Sequence, residues 1–481
     1  MEEKLKMRFP SDKHIGKITL CLFLGAVILL NIVVYVFATA FSWYFYTEER
    51  YEHTVSDATH ALLSQIEHPV TVSFCSAETD IEAAATSRLV YETAKQYAAI
   101  HGDRVMLGKF YNVYTDFAKM QEYSEKTGAT VTKDSVIIET DVECYAMTMS
   151  DFYLLDSSGV ILAYNGEEAF ASAFLRAQVE REKLPSAYFT VDHGENIRLP
   201  ALLSQVFYAG YDIGHTELNT LRLSDEEIPE NAALVVISNP LYDFEKSASS
   251  TVVTELDRLE TYLRKGGKVY ITLDAGASSY AELQNLRAFL ARYGLVTSDG
   301  LIEDGQNGIT ETRTLLVSYA SSDVGSAVAD AISVYNTSRI LVRNASPITV
   351  LAENEKGMTV SPLLETASVA TCNGESGAFP VAAIAEGTGG EAILLSTSGY
   401  VNYSEAVNSD GYANEDFLYA GLSLLDCDTP LIGCTMLFIA DTGLENLTRI
   451  ESNTFFTLTV AVIPVSLLIA CAVVSIRRRR R

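Results

Sequence analysis

His193 stands among acids in the run Asp192-His193-Gly194-Glu195, and a histidine flanked by carboxylates is a common way to build a general acid or base. A nucleophile to go with it is missing. A hydrolase elbow needs Ser or Cys on a sharp strand-to-helix turn. The corresponding turn downstream reads Asp274-Ala275-Gly276, and Ser278 and Ser279 lack the G-x-S-x-G context. The His193 turn is therefore expected to be structural or to touch a ligand rather than to catalyse. Other polar turns have the same standing: Asn239-Pro240, Asp274, and Ser396-Thr397-Ser398-Gly399. The candidate binding set is Asp192, His193, Gly194, Glu195, Asn239, Pro240, Asp274, Ser396 and Ser398, with no catalytic residue assigned. Glu139-Thr140-Asp141 and Asp225-Glu226-Glu227 could hold Ca²⁺, although solvated loop charge is the simpler reading. There is no CxxC, no Cys/His metal spacing and no G-x-x-x-x-G-K-[ST], so no metal, no cofactor and no P-loop nucleotide is expected.

The elements that would position these turns are legible. Ala187–Val191, Ala233–Ser238 and Val269–Leu273 are continuous apolar runs, the pattern of strands covered on both faces. Between them, Leu199–Tyr208 reads as a crossover helix. Thr251–Lys265 reads as a second, with Val252, Val253, Leu256, Leu259 and Leu263 on one stripe. Ser249 or Ser250 would cap it, and Glu260 and Arg264 would pair at i,i+4. Strand, helix, strand, helix, strand makes a wound α/β domain with a parallel sheet. Its polar turns should gather at the carboxyl edge, where such sheets bind ligands. Tyr280–Tyr293 and Asn414–Leu425 read as further helices, and Ala392–Leu395 as a fourth strand.

An earlier module precedes it. Val70–Phe74, Arg104–Phe110, Ser135–Ile138 and Cys144–Met147 read as strands, with helices over Asp80–Ile100 and Phe117–Lys126. That order is thioredoxin-like, but the turn after the first strand reads Cys75-Ser76-Ala77-Glu78, and one thiol cannot perform dithiol exchange. Cys75 is taken as structural. Residues 151–184 would connect the modules, with a helix over Glu167–Glu182.

The net charge of −27 is unevenly spread. Residues 1–17 hold five bases and three acids, and Arg477–Arg481 is a basic run, leaving 25 bases against 59 acids between them. So acidic a body argues against a nucleic-acid partner. Ile18–Thr47 and Ser452–Ile476 are uncharged and apolar. Each has the roughly 20 residues needed to cross a bilayer, and the basic tails place both ends in the cytoplasm. Ala38-Thr39-Ala40 has the form of a signal-peptidase site, but the apolar run is too long for a signal peptide and continues into Phe41, Trp43, Tyr44, Phe45 and Tyr46, which suit an anchor. Cys427 and Cys434 could pair.

The run Tyr188–Glu195 resembles the strand and G-H-G-E turn of the GldG family, auxiliary components of gliding-motility-type ABC transporters, with Asp192 in place of the first Gly. Ile237-Ser238-Asn239-Pro240, Tyr262–Gly267, Val269–Asp274 and Pro362-Leu363-Leu364-Glu365-Thr366 continue the resemblance. It implies an amidotransferase-like (flavodoxin-like) extracytoplasmic domain without a catalytic cysteine, and partnership with a separate permease and ATPase. The expected layout is a cytoplasmic tail (1–17), a membrane helix (18–46), the thioredoxin-like domain (47–150), a connector (151–184), the α/β domain (185–435), a linker (436–452), a second membrane helix (453–476) and the arginine tail (477–481). The expected function is a membrane-anchored, non-catalytic ABC accessory subunit. A membrane-anchored enzyme using His193 and a solute-binding sensor remain as alternatives.

Overall fold

The computed structural model describes residues 66–425, apart from 156–159, 215–216, 247–252, 307, 310, 333–338 and 408–411, together with residues 55, 59, 63, 437 and 438. Both apolar terminal stretches, Ser249, Ser250, Cys427 and Cys434 lie outside the described residues. Among those described, no helix is long and apolar enough to cross a membrane.

Among the described residues the chain is mixed α/β, with two main sheets and three small ones of two or three strands. The first has strands β1 (Val70–Phe74), β2 (Val105–Phe110), β3 (Ser135–Glu139) and β4 (Cys144–Thr148), in the order β2-β1-β3-β4. Only the β1/β2 pair is parallel. The helix expected over Asp80–Ile100 is two helices, Glu78–Ala83 and Ala85–Ile100, because Ala84 adopts an extended backbone and breaks the hydrogen-bond ladder. Segment 151–184 is more than a connector. It carries β5 (Tyr153–Leu155), β6 (Ile161–Tyr164) and a helix, Gly166–Arg176, that buries Phe170 and Phe174 against Tyr97. That helix stops at Arg176 rather than Glu182, and Arg181–Lys183 forms a separate 3₁₀ turn.

The second sheet contains β7 (Ser186–Thr190), β8 (Thr220–Leu221), β9 (Ala232–Ser238) and β10 (Lys268–Thr272). In space the order is β8-β7-β9-β10, followed by Ala392–Ser396, all parallel. Four antiparallel strands then extend the sheet: Pro380–Glu386, Thr359–Glu365, Thr314–Tyr319 and Ile340–Arg343. The sheet is thus mixed, where the apolar runs had suggested a parallel one. The short turn between Glu386 and Ala392 forces its two strands to run in opposite directions.

Burial on both faces explains the continuous apolar runs. Leu234 and Val236 of β9 and Tyr270 of β10 face the Pro200–Tyr208 and Asn414–Leu425 helices. Val235, Ile237, Val269 and Ile271 face the Glu255–Arg264 and Gln284–Arg292 helices. Each such side chain contributes about 1.5–3 kcal/mol on burial.

Three local expectations are corrected. The helix predicted from Thr251 begins at Glu255, because Thr254 and Asp257 form a capping box (Thr254 N to Asp257 Oδ2, 3.0 Å) and Val253 before it is exposed. Glu260 pairs with Arg292 at 2.9 Å and with Lys356, not with Arg264. Those two cations come from neighbouring elements and engage its carboxylate directly. The predicted Tyr280–Tyr293 helix is a 3₁₀ turn, Tyr280–Glu282, followed by Gln284–Arg292.

Candidate functional site

The five parallel strands reverse their direction of winding between β7 and β9, and sheets of this kind bind ligands outside the strand ends at such a point. The His193 turn follows β7 and Asn239 follows β9, so both predicted turns lie at this reversal. The crevice there is filled by the chain itself. Leu241 and Tyr242 donate their backbone N–H groups to the His193 carbonyl at 2.7 and 2.9 Å. Phe244 stacks on the imidazole, with centroids 3.9 Å apart and planes 14° from parallel.

His193 is 5% exposed and held between two acids. Its Nε2 lies 3.1 Å from Glu255 Oε2. Its Nδ1 lies 3.3 Å from Glu195 Oε1, close enough for charge attraction but not aligned as a hydrogen bond. The other Glu195 oxygen accepts the His193 backbone N–H at 2.7 Å, and Glu255 Oε2 also accepts the Glu245 N–H at 2.7 Å. Glu255 is the first residue of its helix, where the helix dipole favours negative charge. Burial alone would lower the histidine's pKa, but the two carboxylates outweigh it and raise it to about 9. For Glu195 and Glu255, burial pushes upward and the imidazolium outweighs it, leaving both below the ordinary carboxylate value. At neutral pH this is a cation clamped by two anions. In that form the ring has a proton to donate rather than a free lone pair to accept one.

The remaining predicted turns close on one another. Asn239 N donates to Thr272 O at 2.9 Å. Pro240 beside it is buried. Asp274 bridges to Ser398, and Gly399 N donates to Leu273 O at 2.9 Å. Ser396 Oγ donates to Ser398 O at 3.2 Å, and Ser398 Oγ donates to Arg343 O at 2.7 Å. Asn239, Ser396 and Ser398 are buried. The strand-end edge therefore gathers as expected; Ser396 and Ser398 are spent on backbone carbonyls, whereas Ser238 Oγ, Asn239 Oδ1 and Thr272 Oγ1 are buried without a hydrogen-bond partner.

Asp192 and Gly194 shape the turn. Their φ values are +94° and +72°, a region that suits glycine and strains an aspartate. Asp192 Oδ2 accepts a hydrogen bond from Ser224 at 3.1 Å.

The suggested calcium groups are spoken for: Glu139 pairs with Lys126 at 2.9 Å, Asp141 with His68 at 2.7 Å and Glu227 with Arg258 at 3.3 Å. Among the described residues, no acidic or Cys/His group could hold a metal. Burial pushes the Cys75 thiol up to about 12, so it is protonated at neutral pH.

Sequence reading missed Glu255 and Phe244. Glu255 shows only as a helix-start acid, 62 positions from its partner. It also missed a cavity of about 480 Å³ away from the strand ends, lined by β4, the Gly166–Arg176 helix and the Pro200–Tyr208 helix.

No family model matches the chain, and no curated protein matches it. Solved structures similar to it include these two. One is the IFT52 N-terminal domain, at 15% identity and a TM-score of 0.38, covering 50% of this chain and 97% of that one. The other is a ThuA-like protein from Bacteroides uniformis ATCC 8492, at 12% identity and a TM-score of 0.30, covering 51% of this chain and 93% of that one. At these scores neither likeness bears on function.

Proposed function

We propose that this chain is a membrane-anchored, non-catalytic accessory subunit of an ABC-type transport complex. Its α/β body would lie outside the cytoplasm and act through contacts with a separate permease and ATPase. In this reading the first sheet is a thioredoxin-like module without a dithiol. The second is a flavodoxin-like, amidotransferase-like domain whose ligand crevice has been closed. The apolar stretches 18–46 and 453–476 would be its anchors in the lipid bilayer.

One observation carries the non-catalytic part. The single histidine placed at the point of strand reversal is buried, charged and fixed between Glu195 and Glu255. A turn built this way holds a surface in shape. The transport part is supported by the order of the GldG-like segments along the sequence, from Tyr188–Glu195 through Pro362–Thr366.

The test is affinity capture of the full chain from detergent-solubilised membranes of its native cell. A permease and an ATPase should co-isolate in fixed ratio. Recovery of a solitary chain in the soluble fraction would overturn the reading. The enzymatic alternative makes a different demand: His193→Ala should abolish activity in a variant that still folds. The sensor alternative draws on the 480 Å³ cavity, which has room for a small solute.

A further inference from the structure

The cavity of about 480 Å³ falls within the range of small-molecule sites, and most of its wall is apolar, including Leu203 and Phe207. Two guanidiniums interrupt that wall. Arg176 is 4% exposed. Its Nη1 donates to the carbonyls of Tyr211 at 2.9 Å and Phe207 at 3.4 Å, and the guanidinium lies 4.0 Å from the Phe207 ring centre. Its Nε is buried without a hydrogen-bond partner.

Arg181 repeats the arrangement. It donates to the carbonyls of Thr127 and Cys144 at 3.0 and 3.1 Å, while its Nε is also buried and unpartnered. The Tyr145 ring lies against both guanidiniums, 5.6 Å from Arg176 and 4.9 Å from Arg181. Its buried hydroxyl faces both guanidiniums and interacts with them. The two Nε–H donors at this wall are left without a hydrogen-bond partner.

The charge balance makes this unusual. In a body with 59 acids against 25 bases, a buried guanidinium should readily find a carboxylate. Arg181 has only Glu143, at 3.9 Å. Asp212 borders the cavity too, and its charge favours the Arg176 cation from beyond ion-pair distance.

We propose that this cavity binds a small, largely apolar molecule carrying one carboxylate, which Arg176 takes up with Tyr145 and Arg181 beside it. The planar guanidinium fork matches a carboxylate, and the apolar wall receives the rest of the molecule. The site is remote from the His193 turn, and the proposal stands or falls apart from the transport reading, since capture of a permease says nothing about this cavity.

Isothermal titration calorimetry of the full chain tests it, with 3-phenylpropionate, its neutral amide and inorganic phosphate as probes. The carboxylate should bind saturably at one site, the amide at least about tenfold more weakly, and phosphate without saturation. Leu203→Trp, which fills the cavity, should abolish binding. Arg176→Lys, which keeps the charge and loses the fork, should weaken it at least about tenfold. Should Arg176→Lys fail to fold by circular dichroism, Arg181→Lys makes the same comparison at the second guanidinium. The proposal is overturned by absence of saturable heat with 3-phenylpropionate, by equal affinity for the amide or phosphate, or by unchanged affinity in Leu203→Trp.

Discussion

His193 Nε2 lies 3.1 Å from Glu255 Oε2, and this contact ties the turn after β7 to the first residue of the helix that follows β9. With Glu195 on the other side, the imidazolium fastens two crossover connections over the point where the sheet reverses its winding.

The fastener should register in stability against pH. The histidine titrates at about 9 when folded, against 6.5 for the free side chain. Its contribution is therefore complete below 6.5 and is lost as pH rises through 9, amounting to about 3 kcal/mol. The two lowered carboxylates act in the opposite sense: their share is present above the ordinary carboxylate value and lost as pH falls below it. Melting temperatures should drop between pH 7 and 10 in the native chain and change far less in His193→Gln. Parallel curves for the two would contradict the assignment.

Asp192→Gly should stabilise the protein by roughly 0.5–1 kcal/mol. A non-glycine residue at φ +94° stores strain of about 1–3 kcal/mol, and the hydrogen bond lost from Ser224 is exposed and weak. Urea denaturation reads this directly; a destabilised variant would mean that the aspartate side chain matters more than its backbone.

Gly399→Ala should cost about 1–3 kcal/mol. A Cβ at this position would come within 2.0 Å of Asn239 Oδ1, inside a seam with no slack. If chemical denaturation finds Gly399→Ala as stable as the native chain, the strand-end turns are looser than described.

Glu168 and Glu415 meet where the Gly166–Arg176 and Asn414–Leu425 helices approach. Asn165 donates to both, and Gln205 donates to Glu415 at 3.0 Å. Burial raises both carboxyls; Glu168 raises Glu415 further, while the hydrogen bond from Glu415 lowers Glu168. A raised acid holds its proton in the fold, so stability falls as pH climbs from the ordinary carboxylate value towards neutrality. Glu415→Gln removes one of the acids and keeps the acceptor for Gln205. It should stabilise the protein by about 1–3 kcal/mol at pH 7.5 and have little effect at pH 4.5. Thermal melts at the two pH values check it, and an equal effect at both would show that the pair carries no strain.

Much of the frame was legible because burial on both faces leaves no room for polar residues. Ala187–Val191, Ala233–Ser238 and Val269–Leu273 announce their strands for that reason. The parallel half was easier than the rest: among the antiparallel strands, Thr314–Tyr319 and Thr359–Glu365 are partly exposed, and the Thr359–Glu365 pairing with Pro380–Glu386 shifts register. The Glu255 helix was placed four residues early because Val252 and Val253 continue its periodicity, while the capping box that starts it rests on one threonine and one aspartate. The turns were found, but not the partners that hold them. Sequence shows His193 between acids at 192 and 195, whereas the decisive partner, Glu255, arrives only through the crossing of two connections. The unpaired Arg176 gave no signal at all, since its lack of a carboxylate is a fact of packing.

Whether the His193 turn fastens the fold or performs chemistry is tested most directly by nuclear magnetic resonance titration of the histidine ring in isotope-labelled protein. The account predicts that His193 remains protonated through neutral pH and titrates near 9, and that Glu255→Gln brings the midpoint down by at least about one unit. A His193 that titrates at 7 or below, or one that is indifferent to Glu255→Gln, would contradict it.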